Sequence, residues 1–328
     1  MTMTYPERLD GSARRDRLMS TLTGVVAVYT KMSTWSGRRR PPVRAVDRLL
    51  RLTVDDVRVE ASDVVSLRLT GALPPWRPGA HIDLTLPSGL VRQYSLCGDP
   101  GDLSHYRVAV RKIGAASSEV HSLTPGTRVT AQGPRTAFPL LPSDKYLFIA
   151  GGIGITPILP MVKHADAIGA DWRLVYAGRD RDSMPFLDEL SALDSERIFV
   201  RPDSEFGMPI SGAELLEGAA PGAAIYCCGP IPMITGVRQA TEETVFYERF
   251  SPPPIVDGKP FRLTLRSGRT LEVPADRSAL DVLREAIPGV AYSCRQGFCG
   301  TCAIPDVDGS PVRVCVDREF GTLDVLEA

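Results

Sequence analysis

The sequence predicts a multidomain chain, all-β in its first large part and α/β in its second, closed by a small cysteine-bearing segment. Three observations predict this. Val/Leu alternation between turn signals fills residues 46–142, apolar strands alternate with helix-like stretches over 143–250, and three cysteines fall within nine residues near the C-terminus. The 328 residues suffice for two or three domains of about 100–150 residues each. With 43% hydrophobic and 23% charged residues, global disorder, a collagen repeat and a disulfide mini-protein are excluded. The net charge is −1, so no domain-wide basic field favours nucleic acid.

Residues 1–45 read as a poorly ordered leader. Within residues 1–51 there are 11 Lys/Arg against 4 Asp/Glu, a local excess that could steer an acidic partner or simply form a solvated tail. Arg14, Arg15 and Arg17 precede the mildly apolar Leu18–Tyr29, a weak imitation of a signal peptide without a convincing cleavage site. No run of 18 apolar residues exists, so no membrane-spanning helix is expected. Seven cysteines are too few for a disulfide scaffold, and their clustering suits a metal site in a reducing, cytoplasmic setting.

Six strands are predicted in the first part: 52–60, 64–70, 81–86, 94–96, 106–113 and 128–132. Pro74, Pro75, Pro78 and Gly79, then Pro87-Ser88-Gly89, punctuate them. Short strands at this spacing suggest an antiparallel barrel. In 143–250, strands at 146–150, 172–177, 198–201 and 224–228 alternate with helices, among them a predicted helix over 184–193, which makes a parallel sheet. A stiff Pro-rich linker, 251–259, leads to 260–328. There the spacing predicts a hairpin around Ser267-Gly268. A helix over 278–287 follows, with Ser278 as N-cap and Asp281 completing a capping-box variant.

Cys294, Cys299 and Cys302 stand in C-x4-C-x2-C spacing, that of plant-type 2Fe–2S clusters. Gly297 and Gly300 let the loop fold tightly. Cys315, in a predicted strand over 312–316, is the natural fourth ligand. A structural zinc site and plain buried cysteines compete, but zinc sites usually repeat the C-x2-C pair and this one does not. Cys97, Cys227 and Cys228 read as small buried residues with no cluster role.

Arg92-Gln-Tyr94-Ser95 ends a barrel strand. Arg can bind phosphate bidentately, Tyr94 can stack on a flavin ring and Ser95 can bond its edge, although strand alternation alone also yields such faces. Gly151-Gly152-Ile-Gly154-Ile-Thr156-Pro157 follows a buried strand and opens a helix, with Thr156 suited to N-cap and Pro157 to the first helical position. Such a helix start faces a pyrophosphate.

Together, R-x-Y-S-L-C, G-G-I-G-I-T-P and the cysteine spacing resemble the phthalate dioxygenase reductase and vanillate demethylase reductase group of the ferredoxin–NADP reductase superfamily, over about residues 50–328. The resemblance implies a flavin-binding β-barrel, a parallel α/β nucleotide-binding domain and a C-terminal β-grasp ferredoxin domain. It implies FMN (FAD being the alternative) on Arg92, Tyr94 and Ser95, with Ser117 and Ser118 in the phosphate stretch. NADH would lie along Gly151, Gly152, Gly154 and Thr156 and along Cys228-Gly229-Pro230, with Phe250 shielding the flavin. Arg179 and Arg181 could meet a 2′-phosphate, but Asp180 and Asp182 alternate with them, and the resemblance favours NADH. The Cys302–Cys315 gap is shorter than in ferredoxins of this type, with Asp306-Val-Asp-Gly309 reading as a hairpin.

The implied function is electron transfer from NADH through flavin and a 2Fe–2S cluster, singly, to a terminal oxygenase, Rieske-type or haem. The contact is expected to be transient and the chain a monomer. No acid–base residue is obligatory for the hydride step. The alternatives are a flavin–NADH reductase that has lost its cluster and acts on small acceptors, and a non-enzymatic redox sensor on the same fold.

Overall fold

Alternation along residues 49–136 folds as a closed antiparallel sheet. The computed structural model describes residues 22, 24–26, 28, 49–250, 255–287, 289–292, 295, 297, 300–318, 320 and 322–323. Strands β1 (Leu49–Ala61), β2 (Val64–Gly71), β3 (Ala80–Thr85), β4 (Val91–Ser95), β5 (Tyr106–Arg111) and β6 (Arg128–Thr136) lie in the order β4-β3-β6-β1-β2-β5. The two ends of the sheet meet. Leu96, just past β4, bridges Val108 of β5, and the Cys97 amide donates to the Arg107 carbonyl at 2.9 Å. Closure removes unpaired edges. Leu52, Val54, Leu67, Leu69, Ile82, Leu84 and Val108 fill the interior. Helix α1 (Ala115–Ser122) packs on this core through Ala116 and Val120.

The next part is a five-stranded parallel sheet. Strands β7 (Lys145–Gly151), β8 (Asp171–Gly178), β9 (Ile198–Pro202), β10 (Ala224–Cys228) and β11 (Val245–Glu248) run in the order β11-β10-β7-β8-β9. The chain leaves β7 toward one side and returns to β10 on the other. The C-terminal ends of β7 and β10 therefore flank a topological switch point, where open α/β sheets bind ligands. The helices are α2 (Ile155–Ala167), α3 (Leu187–Ser191), α4 (Asp203–Phe206), α5 (Gly212–Leu215) and α6 (Ile231–Gln239). The helix expected over 184–193 shrinks to α3. Pro185 disfavours helical backbone at Met184, which is extended (φ −98°, ψ 105°), and Phe186 turns left-handed at φ 65°.

One ionic cluster and one hydrogen bond set the barrel against this sheet. Arg107 of β5 makes a bidentate pair with Glu189 of α3, both bonds 3.0 Å, and Glu189 also takes Lys163 of α2. Arg111 lies 3.1 Å from Asp63 and donates to the Ser183 carbonyl at 2.5 Å. Bidentate guanidinium–carboxylate pairs fix orientation as well as distance.

The C-terminal part has β12 (Phe261–Leu265), β13 (Thr270–Val273), α7 (Ala279–Ala286), β14 (Ala303–Pro305), β15 (Pro311–Arg313) and β16 (Thr322–Leu323). The sheet order is β13-β12-β16, with β12 parallel to β16, and β14 and β15 form the expected hairpin. Leu263, Leu265, Leu280, Leu283 and Val314 make a separate core. Ser278 caps α7, accepting from the Asp281 amide at 3.2 Å. The other half of the expected capping box is diverted. The Asp281 carboxylate accepts the Ser278 hydroxyl at 2.6 Å and ion-pairs with Arg295. The Arg318 guanidinium donates to the carbonyls of Arg277 (2.7 Å), Lys259 (2.9 Å) and Pro274 (3.0 Å), fastening the linker's exit.

The chain divides into two units, Met1–Asp47 and Arg48–Ala328. In the first, residues 22, 24–26 and 28 are helical and exposed. The remainder of the expected leader and linker residues 251–254 lie outside the described residues. Among the described residues no helix is long and apolar enough to cross a membrane.

Candidate functional site

Side chains i and i+2 on a strand share a face, so Arg92 and Tyr94 of β4 project together. Ladder pairing sets Tyr94 opposite Ile82 and Ser95 opposite His81. A cavity of about 370 Å³ opens there, within the usual range for cofactor-sized ligands. It brings together the predicted Arg92, Tyr94, Ser95, Ser117, Thr156 and Phe250. Burial pushes the Tyr94 hydroxyl up to about 12, so it stays protonated as a donor. The Ser117 hydroxyl accepts the Ile113 and Gly114 amides at 2.8 and 2.9 Å, occupying donors that a phosphate would use. Ser118 is exposed and outside the cavity lining.

A second cavity, about 770 Å³, lies over the switch point and is lined by Gly151, Gly152, Gly154, Gly229, Pro230 and Phe250 among others. At Gly154 backbone meets backbone, and at Gly152 the chain turns left-handed. A Cβ on Gly154 would stand 2.2 Å from the Cys228 carbonyl oxygen, and Gly152 has φ +53°. Thr156 does not cap α2 as expected. It is the second helical residue, Gly154 takes the cap position, and the Thr156 hydroxyl donates back to the Ile153 carbonyl at 3.0 Å. Cys228 is fully buried beneath this cavity, and burial with the nearby Glu248 carboxyl raises its thiol well above the ordinary range. Cys97 and Cys227 are equally buried, in keeping with a packing role.

Phe250 lines both cavities and a third, at the junction with the C-terminal part, and its side chain remains 49% exposed. Sequence reading missed Glu248, two residues before it. Cys228 and Glu248 are ladder partners at the ends of β10 and β11. The Glu248 Oε2 atom is buried without a hydrogen-bond partner, and burial pushes its carboxyl up to about 8. A Glu between a strand and Phe250 was the available signal, but burial of its tip depends on tertiary packing. His81, also missed, lines the third cavity. Burial and the Arg135 charge hold it down to about 4, so it is neutral near pH 7. His121 is structural, its Nε2 2.9 Å from the Val110 carbonyl.

Cys294 and Cys299 lie outside the described residues. Cys302 and Cys315 are buried, with sulfurs 3.1 Å apart. Cys315 is not in a strand as expected. It follows β15 in a turn, which swings its sulfur back toward Cys302. The Cys315 thiol stabilises the Cys302 thiolate, lowering that thiol to about 6. Two adjoining, buried, soft donors, one of them readily ionised, suit iron or zinc thiolate chemistry. Arg313 donates to the Gly297 carbonyl at 3.1 Å.

Barrel, switch-point sheet and thiolate-bearing domain in this order define an electron-transfer oxidoreductase. Residues 263–324 match the model of the 2Fe-2S iron-sulfur cluster binding domain. The chain is 37% identical over 303 residues to vanillate O-demethylase oxidoreductase from Pseudomonas sp. (strain HR199 / DSM 7063), covering 85% of this chain and 93% of that one. The solved phthalate dioxygenase reductase, described as modular for electron transfer from pyridine nucleotides to [2Fe-2S], matches with 31% identity and a TM-score of 0.65, covering 85% of this chain and 98% of that one. Full-length CYP116B46 from Tepidiphilus thermophilus matches with 35% identity and a TM-score of 0.67; the match covers 88% of this chain and only 44% of the other. The chain belongs to the vanillate O-demethylase oxidoreductase and phthalate dioxygenase reductase family.

Proposed function

We propose that this protein is the NADH-dependent reductase component of an oxygenase system. The observation that carries the reading is the convergence on Phe250. One side chain borders the Arg92–Tyr94–Ser95 cavity, the switch-point cavity and the junction with the 2Fe-2S-type domain. A flavin in the first cavity accepts two electrons and releases them singly, which a 2Fe–2S cluster can carry onward. The residues present fit both groups. Arg92 offers a cation for a phosphate, Tyr94 a protonated hydroxyl and an aromatic face, and Cys302 and Cys315 adjoining sulfurs. Cys294 and Cys299 complete the ligand set. The switch-point glycines let a dinucleotide backbone approach, and Phe250 covers the place where nicotinamide and flavin would meet.

FMN is the flavin of this reading, and the acceptor is an oxygenase, Rieske-type or haem, engaged transiently by a cytoplasmic monomer. The resemblance of one chain to both a vanillate demethylase component and a P450 supports an oxygenase partner. The test is an anaerobic visible spectrum titrated with NADH, with the released flavin identified by chromatography. Flavin bands and broad iron–sulfur absorbance that both bleach support the relay. Flavin bleaching without iron–sulfur absorbance, after anaerobic reconstitution, sinks it in favour of a simple flavin reductase.

A further inference from the structure

We propose that Tyr292 is the positioning residue that docks the C-terminal domain on the barrel for electron transfer from flavin to cluster. This rests on the relay reading above. Tyr292 stands two positions before Cys294 and is half-buried. Its ring is approached by cations of two domains. The Arg284 guanidinium carbon of α7 lies 3.8 Å from the ring centroid, and that of Arg135, from barrel strand β6, lies 5.8 Å away. A cation over an aromatic face is attracted by the ring quadrupole, more strongly where water is excluded.

The barrel-side cation is itself held by a buried carboxylate, Asp83. Asp83 is 2% exposed. One of its oxygens, Oδ2, is ion-paired with Arg135, whereas Oδ1 is buried and meets no donor at hydrogen-bond distance. A buried carboxylate with a second oxygen unmatched depends on its one cationic partner, so Asp83 holds the Arg135 guanidinium in place. Arg135 is thus fixed on the barrel side where it meets the Tyr292 ring.

The place of this contact gives it its role. Tyr292, Arg284 and Arg295 form one wall of the junction cavity, and Arg92, Ser95 and Phe250, all residues of the candidate flavin site, form the other. The domain is attached through a Pro-rich linker, so docking is an intramolecular equilibrium set by contact chemistry at high effective concentration. NADH gives the flavin one hydride. The two electrons then leave for the cluster one at a time, and the proton goes to solvent. Tyr292 acts on those two single-electron steps and not on the hydride step.

The test uses the flavin- and cluster-loaded full chain, mixed anaerobically with NADH, with flavin and cluster absorbance followed separately. Tyr292→Ala is expected to slow cluster reduction at least tenfold and Asp83→Asn about threefold, whereas Tyr292→Phe, which keeps the ring, stays within twofold. Flavin reduction and ferricyanide turnover stay within twofold of the parent. A second readout needs no activity. Cleavage in residues 251–259 by a low dose of protease is expected to quicken in Tyr292→Ala, because a linker no longer held at both ends fits a protease cleft more readily. If Tyr292→Ala takes up less iron, Arg135→Ala on the barrel side reads docking without touching the cysteine loop. Unchanged cluster reduction and unchanged cleavage in the cluster-loaded variants overturn the proposal while leaving the relay intact. A parent protein that binds no cluster, or whose cluster never bleaches with NADH, overturns the relay reading and this proposal together.

Discussion

The sulfurs of Cys302 and Cys315 lie 3.1 Å apart although twelve residues intervene. Hairpin pairing explains it. Ala303 is opposite Arg313, so the residue before one strand and the turn after the other are brought to the same end. The short excursion between them trims a surface hairpin and leaves the approach of the two thiols intact. Cys302→Ser and Cys315→Ser are each expected to abolish iron and labile sulfide binding while NADH–ferricyanide turnover stays within twofold. Iron and sulfide analysis of the reconstituted variants checks this. A Cys315→Ser protein that retains a stable cluster would remove Cys315 from the ligand set.

The close approach of Gly154 to the Cys228 carbonyl gives a second expectation. An added methyl at 2.2 Å from a backbone oxygen forces the start of α2 away from the end of β10. Overpacking of this kind costs about 1–3 kcal/mol. Gly154→Ala is therefore expected to lower Tm by several degrees and to raise KM for NADH at least tenfold, as the two glycine-rich turns no longer meet. Melting curves and steady-state kinetics with ferricyanide measure both. A variant with parental Tm and KM would show that the two turns can separate freely.

Much of this was legible in the sequence because it depends on local rules. All six barrel strands were visible, since alternation and turn residues mark each one, and only their ends moved: the first begins at Leu49 rather than Leu52. The glycines of the switch point and the spacing of the cysteines were equally visible. What sequence could not give depends on three-dimensional neighbours. Thr156 looked like a cap, yet the cap falls at Gly154 because the turn is tightened against Cys228. Asp281 looked like half of a capping box, yet Arg295, fourteen residues away, takes its carboxylate. The burial of the Glu248 tip has no mark in the sequence, because it depends on what packs around the end of β11.

Asp203 and Arg179 both line the switch-point cavity, and Asp203 is expected to weigh the choice toward NADH. Arg181 is occupied by Glu205 through bonds of 2.6 and 3.1 Å, and the buried Arg201 donates to Asp203 at 3.0 Å and to the Met208 carbonyl at 2.7 Å. Those two cations are already matched, and a carboxylate there accepts a ribose diol but repels a 2′-phosphate. Asp203→Ser is expected to improve kcat/KM for NADPH relative to NADH at least tenfold. Calorimetric binding of 2′,5′-ADP against 5′-AMP separates this from an effect on turnover. Equal preference in parent and variant would place the discrimination elsewhere.

Glu248 yields a pH dependence whose sign follows from its burial. Its carboxyl is raised from an ordinary 4.5 to about 8 in the folded chain, with burial as the cause. Between those values the folded state holds a proton that the unfolded state has released, so stability falls as pH rises. The contribution is fully present below about 4.5 and lost above about 8. Glu248→Gln keeps the shape and cannot ionise. Its Tm is expected to match the parent's near pH 5 and to exceed it by a few degrees at pH 8.5, where the parent must bury a charge beside an oxygen that has no donor. Paired melting curves at pH 5, 7 and 8.5 measure the divergence. A Tm difference that stays constant across the three would mean that the Glu248 carboxyl is ionised throughout and finds a counter-charge in solution.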